Sequence, residues 1–410
     1  MIRKKLSFKV LITSLLFVSV VLLTGFGVGG KKNDNYVVLV SLDAFRWDYS
    51  KIYKTPNLDK LARDGVKADR MTASFPTNTF PNHYSIATGL YPDHHGIVNN
   101  TFQAPDLKLS YRIGDREAVG NGDFYLGEPV WVTAMKQGLR TASFFWVGSE
   151  APVKGYHPDY WKVYDEKIAF GDRIDSVIKW LDYPESKRPR LVTLYFEEPD
   201  ATSHDSGPVS DETGRVVARL DSLIGVLRLK ISKLPISKQV NLIVLSDHGM
   251  SEVSSERYIN INDVLPRRFI NNIWGGNPVY LLDPAAGKKD SVLQVLGRVR
   301  GLKAYPKENM PGRWHYGTNE RIPAIVVVAD SSWYVSLRPS RGSFKGGAHG
   351  YDNRNSDMHS IFYASGPAIR KGTKPVDLHN TDVYNIVCKI LGIIPSENDG
   401  VMSHVEGILK

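Results

Sequence analysis

One cysteine in 410 residues, Cys388, leaves no partner for an intrachain disulfide, so a buried core has to hold the fold. It lies in the apolar helical pattern DVYNIVCKILGII, where a buried, inert thiol is expected. No cluster of Lys and Arg interleaved with aromatics stands out, although the formal net charge is +9. That argues against a nucleic-acid groove and leaves a mildly basic surface able to attract anionic small substrates. Internal repeats and low-complexity linkers are also missing, which removes solenoids and bead-like domain strings.

What is present begins with MIRKKLSFKVLITSLLFVSVVLLTGFGVGG. Arg3, Lys4, Lys5 and Lys9 precede an apolar run that ends in small residues, followed by the polar KKNDN. Residues 1–30 therefore read as an export signal peptide or a membrane anchor, and any membrane contact is expected through them alone. LLTGF lacks the cysteine that a lipoprotein signal requires. An exported protein with one thiol fits a periplasmic or cell-surface location, with a bacterial host expected.

Three apolar, β-branched runs, YVVLVSLD, RLVTLYFEEPD and VNLIVLSDHG, each end in carboxylates. Between them lie amphipathic patterns such as TPNLDKLARDGV, GEPVWVTAMKQG and GRVVARLDSLIGVLRLKI. Alternating strands and helices predict an α/β fold: a mostly parallel central sheet flanked by helices on both faces. Residues 36–400 are expected to form a single catalytic domain, with a small cap subdomain inserted at about 263–333. Ligands of such sheets collect beyond the carboxyl ends of the strands, which is where Asp43, Asp200 and Asp247 belong.

Further acid and imidazole groups follow the same strands: His204 in EEPDATSHDSGP, His248 in LSDHGM and His349 in KGGAHGYDN. Singly, a strand-end Asp reads as a helix cap and a His in a glycine-rich loop as a hydrogen-bonding group. Together they supply mixed carboxylate and imidazole ligands for two divalent ions, with three histidines favouring zinc over magnesium. FPTNTFPNHY then places Thr79 between two proline-bounded turns. Its hydroxyl caps the following helix or, activated by a metal, serves as a nucleophile that carries the phosphoryl group.

These stretches resemble the nucleotide pyrophosphatase/phosphodiesterases of the alkaline phosphatase superfamily, through VSLDAFRWDY, TFPNHYSIATGLYPDHHGIVNN, GEPVW, EEPDATSH, LSDHGM and GGAHGYDNRNSDMHSIFYASGP. The resemblance runs from Tyr36 to Gly400 and implies an alkaline-phosphatase-like fold with two zinc ions per chain. It implies that Asp43, Asp247 and His248 bind one zinc with Thr79, while Asp200, His204 and His349 bind the other. Asn100 would contact a phosphoryl oxygen, and Phe80, Tyr164 and Tyr195 would line a pocket for a nucleotide base; core packing remains the alternative for these aromatics. Asn99-Asn100-Thr101 is also a glycosylation sequon, a reading that conflicts with a buried catalytic amide.

The chain shows neither the cysteine-rich modules nor the nuclease-like domain of larger animal members, so it resembles a bare catalytic domain. The expected activity is hydrolysis of nucleotide phosphodiester and pyrophosphate bonds to nucleoside 5′-monophosphates. Alternatives are a phosphate monoesterase or a choline-headgroup phosphodiesterase on the same bimetal site, and, in another class, an inactive nucleotide- or partner-binding protein. A sulfatase is disfavoured because Cys-x-Pro-x-Arg and Ser-x-Pro-x-Arg are both absent.

Overall fold

The apolar runs that end in acids become the middle of one sheet. In the computed structural model, which describes residues 33–340 and 342–410, the strand Tyr36–Leu42 pairs parallel with Leu191–Phe196 on one side and Val240–Leu245 on the other. Segment 1–30, read above as a signal or anchor, lies outside the described residues. The full seven-stranded order is Val66–Lys67, Phe362–Ser365, Val240–Leu245, Tyr36–Leu42, Leu191–Phe196, Thr141–Phe144, Tyr160–Trp161. Only Phe362–Ser365 runs against its neighbours. The mostly parallel sheet expected from the sequence is therefore present.

Every residue of Tyr36–Leu42 is buried, as a parallel strand covered on both faces requires. Successive side chains still alternate: Val37 and Leu39 join one apolar cluster, Val38, Val40 and Leu42 the other. The first cluster takes in residues of the helices Thr79–Thr88, Val130–Lys136 and Asp382–Leu391, the second those of Pro56–Asp64, Phe170–Leu181 and Asp211–Ser232. At about 25 cal/mol per Å² of apolar surface, this double covering is the main force that fixes where the strands end. Cys388 is buried in the first cluster, where burial pushes its thiol up to about 12.

Residues within 263–333 build a second, antiparallel sheet in the order Ile270–Gly276, Val279–Pro284, Ile325–Ala329, Leu302–Pro306, with the helix Lys289–Leu296. Its two faces part company. Leu282, Ile325 and Val327 pack with Val292 and Leu296, whereas Val279, Leu281, Val326 and Val328 enter the first cluster of the main sheet. The smaller sheet is thus fastened to the body through one apolar face.

Glycines bring the last histidine into place. Gly346 and Gly347 lie in the strand Lys345–Ala348, and a Cβ on either would stand within 2.5 Å of a backbone oxygen of His204 or Ser203. Only glycine lets this strand lie directly against the helix Asp200–Ser206.

Candidate active site

The carboxyl ends of the three central strands deliver Asp43, Asp200 and Asp247 to one place. Asp43 directly follows Tyr36–Leu42, and its N–H donates to the Phe196 carbonyl at 3.0 Å. Asp200 opens the helix Asp200–Ser206, which puts His204 one turn later on the same face. Asp247 and His248 follow Val240–Leu245, and His349 follows Lys345–Ala348.

All six predicted ligands meet. His248 Nε2 lies 3.0 Å from Asp247 Oδ2 and 3.6 Å from Asp43 Oδ1. Asp200 receives His204 Nε2 at 3.4 Å on one oxygen and His349 Nε2 at 3.5 Å on the other. The His248 and His349 rings stack at 3.8 Å. The remaining ring nitrogens face backbone carbonyls: His204 Nδ1 to Gly347 at 2.9 Å, His248 Nδ1 to Gly249 at 2.9 Å, His349 Nδ1 to Thr77 at 3.0 Å. A carbonyl only accepts, so each Nδ1 carries a proton, and Nε2 is the nitrogen that each ring turns toward the carboxylates.

The electrostatics match a site built for cations. Burial and repulsion from Asp247 and Asp200 raise Asp43 well above the usual carboxylate range, and burial also raises Asp200. Burial works the same way on Asp247 but is outweighed by His248 and His83, which hold it well below. His349 is driven well below its ordinary value by burial and by its neighbours His248 and His204, which favours its neutral ring. One buried oxygen on each aspartate, Asp43 Oδ1, Asp200 Oδ1 and Asp247 Oδ2, has no hydrogen-bond partner. Orphaned carboxylate oxygens among imidazole nitrogens fit divalent metal ions. Among the described residues two groups of three bring their ligand atoms within 4.8 Å of one another: Asp200, His248 and His349, and Asp43, His83 and Asp247. That grouping brings in His83, which the sequence reading passed over.

Thr79 is the first residue of the helix Thr79–Thr88. The N-cap is Asn78, which makes no side-chain capping bond, and Thr79 Oγ1 instead lies 3.2 Å from His248 Nε2. The hydroxyl is thus aimed at the cluster of aspartates and histidines and is not spent on its own helix. Beside it, Asn100 Oδ1 accepts the Phe80 N–H at 3.1 Å, so the NH₂ is the end of Asn100 left to offer a ligand. The Phe80 amide is engaged by Asn100 in this state. Asn99, acceptor of the sequon, is buried and donates from its side chain to the Val279 carbonyl at 3.3 Å, which leaves no room for a glycan.

A cavity of about 320 Å³ opens above Asp43, Thr79 and Asp200, walled by Phe80, Phe145, Trp146, Tyr164 and Tyr195. The three predicted pocket aromatics are therefore together. Tyr195 does more than line it, because its hydroxyl donates to Asp43 Oδ2 at 2.6 Å. Tyr164 packs edge-on against Phe145 at 5.1 Å. Phe145 holds a left-handed backbone (φ 66°), rare for a large side chain, with the buried Arg173 guanidinium 5.0 Å from its ring. Arg173 in turn grips Glu197 and the Tyr195 carbonyl.

Sequence reasoning missed Arg116, Glu150, Glu166 and Glu197, which also line the cavity. Arg116 is ion-paired with Glu150, whose other oxygen accepts the Tyr164 N–H at 2.9 Å. No local pattern marks these residues, since their partners lie far away in the chain. Lys162, two residues before Tyr164 in the chain, is exposed and is not among the residues lining the cavity.

An α/β sheet whose central strand ends gather aspartates and histidines under a helix-terminal hydroxyl is the layout of the alkaline phosphatase superfamily. Residues 37–352 match the family model described as type I phosphodiesterase / nucleotide pyrophosphatase, and the chain belongs to that family. Human ectonucleotide pyrophosphatase/phosphodiesterase family member 1 is 37% identical over 387 residues, 91% of this chain and 42% of that protein. The venom phosphodiesterase CdcPDE of Crotalus durissus collilineatus is 37% identical over 388 residues, 91% of this chain and 46% of its own length. The chain thus spans less than half of these curated relatives. Murine ectonucleotide pyrophosphatase/phosphodiesterase 5 superposes with a TM-score of 0.87 at 35% identity, covering 92% of this chain and 100% of that one. A further structure of that murine protein is an inactive threonine-to-alanine variant in complex with AMP.

Proposed function

We propose that this protein is an exported nucleotide pyrophosphatase/phosphodiesterase that releases nucleoside 5′-monophosphates through a phospho-threonine at Thr79. The observation that carries this is the Thr79 hydroxyl, 3.2 Å from His248 Nε2 at the floor of an aromatic cavity, beside three aspartates with orphaned oxygens. Asp43, Asp247 and His248 with Thr79 would hold one zinc and Asp200, His204 and His349 the other. Bound there, such ions would make the threonine hydroxyl acidic and neutralise phosphate oxygens. Thr79 Oγ1 attacks phosphorus in line with the leaving oxygen, and water then hydrolyses the threonine ester. The Asn100 NH₂ donates to a non-bridging oxygen as charge builds on it. Phe80, Tyr164 and Tyr195 offer faces on which a base can stack. The inactive threonine variant of the murine relative, solved with AMP, supports both the nucleophile and the nucleotide.

Charge supports a diester over a monoester. The cation at the cavity wall, Arg116, is already matched by Glu150, so among the described residues no spare positive group lines the cavity to meet the second charge of a monoester dianion. A diester should therefore exceed the corresponding monoester in kcat/KM by at least about 10², some 2.7 kcal/mol. Glu166 beside Tyr164 is the one observation that favours a cationic headgroup instead. Steady-state rates on an aryl diester, ATP, a dinucleotide, a phosphate monoester and a phosphocholine ester decide among the three. A monoester turned over as fast as the diester would hand the site to the phosphatase reading, and a lone phosphocholine ester to the headgroup reading.

Export rests on residues 1–30 and on relatives named as ectoenzymes and venom enzymes. Among the described residues no helix is long and apolar enough to cross a membrane. N-terminal sequencing of protein from its native host should place the mature start between about Gly25 and Asn35. An intact Met1 in the membrane fraction would make the segment an anchor.

A further inference from the structure

His83 is fully buried and joins the three elements that form the floor of the site. Its Nδ1 lies 3.0 Å from the Thr79 carbonyl and 3.2 Å from Asp247 Oδ2, while its Nε2 lies 2.9 Å from Ser41 Oγ, on the strand that leads to Asp43. Its own carbonyl accepts the Trp146 indole N–H at 3.0 Å, and its ring meets Tyr195 edge-on at 5.1 Å. Close to Asp43 and Asp247, it has the look of a metal ligand.

Hydrogen-bond chemistry says otherwise. The Thr79 carbonyl can only accept, so Nδ1 carries a hydrogen and has no lone pair for a metal. Nε2 is then the acceptor for the Ser41 hydroxyl. The Nδ1–H goes to the backbone carbonyl of Thr79, and Asp247 Oδ2 faces the same nitrogen at 3.2 Å.

We infer that His83 is a positioning residue: through one Nδ1–H it fixes the distance between the residue bearing the nucleophile and the Asp247 carboxylate, and it is not itself a ligand. The inference rests on the reading of Thr79 as the nucleophile. Outer groups that orient ligands typically carry about 10- to 100-fold in metal affinity or activity.

The test uses the purified holoprotein and three variants. In His83→Asn the side-chain amide nitrogen falls near the place of Nδ1, in His83→Gln near that of Nε2, and His83→Ala removes both. All three should keep the wild-type number of metal ions by elemental analysis. His83→Ala and His83→Gln should lose metal to a chelator about 10- to 100-fold faster, and lose kcat on an aryl diester by a similar factor with KM little changed. His83→Asn should recover most of both. Long-range ¹H–¹⁵N spectra of the wild type should show a hydrogen on His83 Nδ1. One ion fewer per chain in every variant would make His83 a ligand and overturn the inference; an asparagine variant no better than alanine would reduce the ring to filler. Should the wild type turn over no diester, the proposed function fails, and the chelator series with the spectrum still decides the role of His83.

Discussion

Thr79 shows how one hydroxyl is released for chemistry. A threonine at the start of a helix ordinarily turns its oxygen back onto the backbone. Here Asn78 occupies the cap position and Thr79 stands one residue inside, its oxygen toward His248. Thr79→Ala should therefore leave stability within about 1 kcal/mol while lowering kcat at least about 10³-fold. Thr79→Ser keeps the oxygen and should retain measurable turnover. Urea unfolding and steady-state kinetics on the same samples separate the two roles: near-normal turnover in Thr79→Ala, with a loss of about 1 kcal/mol, would return the residue to capping.

The same economy appears between elements. The helix Pro56–Asp64 has Thr55 at its cap position without a side-chain capping bond. Its first amides are met from outside, by the buried carboxylate of Asp221 in the helix Asp211–Ser232. Asp221 accepts from the Asn57 N–H at 3.1 Å, the Leu58 N–H at 2.8 Å and Asn57 Nδ2 at 2.8 Å. An anion at a helix N-terminus is favoured by the helix dipole, and this one also pins two helices together. Asp221→Ala strands buried donors and should cost about 2–3 kcal/mol in unfolding free energy. Because Asp221 is not among the residues lining the cavity, kcat should be unchanged well below the melting temperature; an unaltered urea midpoint would show that water replaces the carboxylate without loss.

At the scale of the whole molecule, the site is a concentration of buried like charge that the fold tolerates only with counter-charge. Burial and mutual repulsion raise Asp43 and Asp200, and the orphaned oxygens add the cost of unsolvated polar atoms. Metal that binds only the folded chain stabilises it by mass action, about 2.7 kcal/mol at 100 times Kd. Chelation should therefore lower the melting temperature and abolish hydrolysis together, and added zinc should restore both. Elemental analysis should find close to two zinc ions per chain. A fully active, metal-free preparation would sink the bimetal reading.

The amino-acid sequence by itself determined the sheet and the class of chemistry, because both are written locally. Runs such as YVVLVSLD carry strand and ligand in adjacent residues, and hydrophobic burial leaves such a run one place to go. That Asp43, Asp200 and Asp247 come together with His204, His248 and His349 was legible for that reason. Tertiary structure alone decided what depends on partners distant in the chain. Nothing in TFPNHY says that His83 reaches both Ser41 and Asp247, and nothing in YFEEPD says that Tyr195 will hold Asp43 or that Arg173 will hold Glu197. Nor does GDREA announce that Arg116 will meet Glu150 at the cavity wall. Ligand identity is a property of residue type and position, which a strand end preserves. Ligand orientation and pocket charge are set by hydrogen bonds and ion pairs across the fold, which exist only once the two apolar clusters have closed around the sheet.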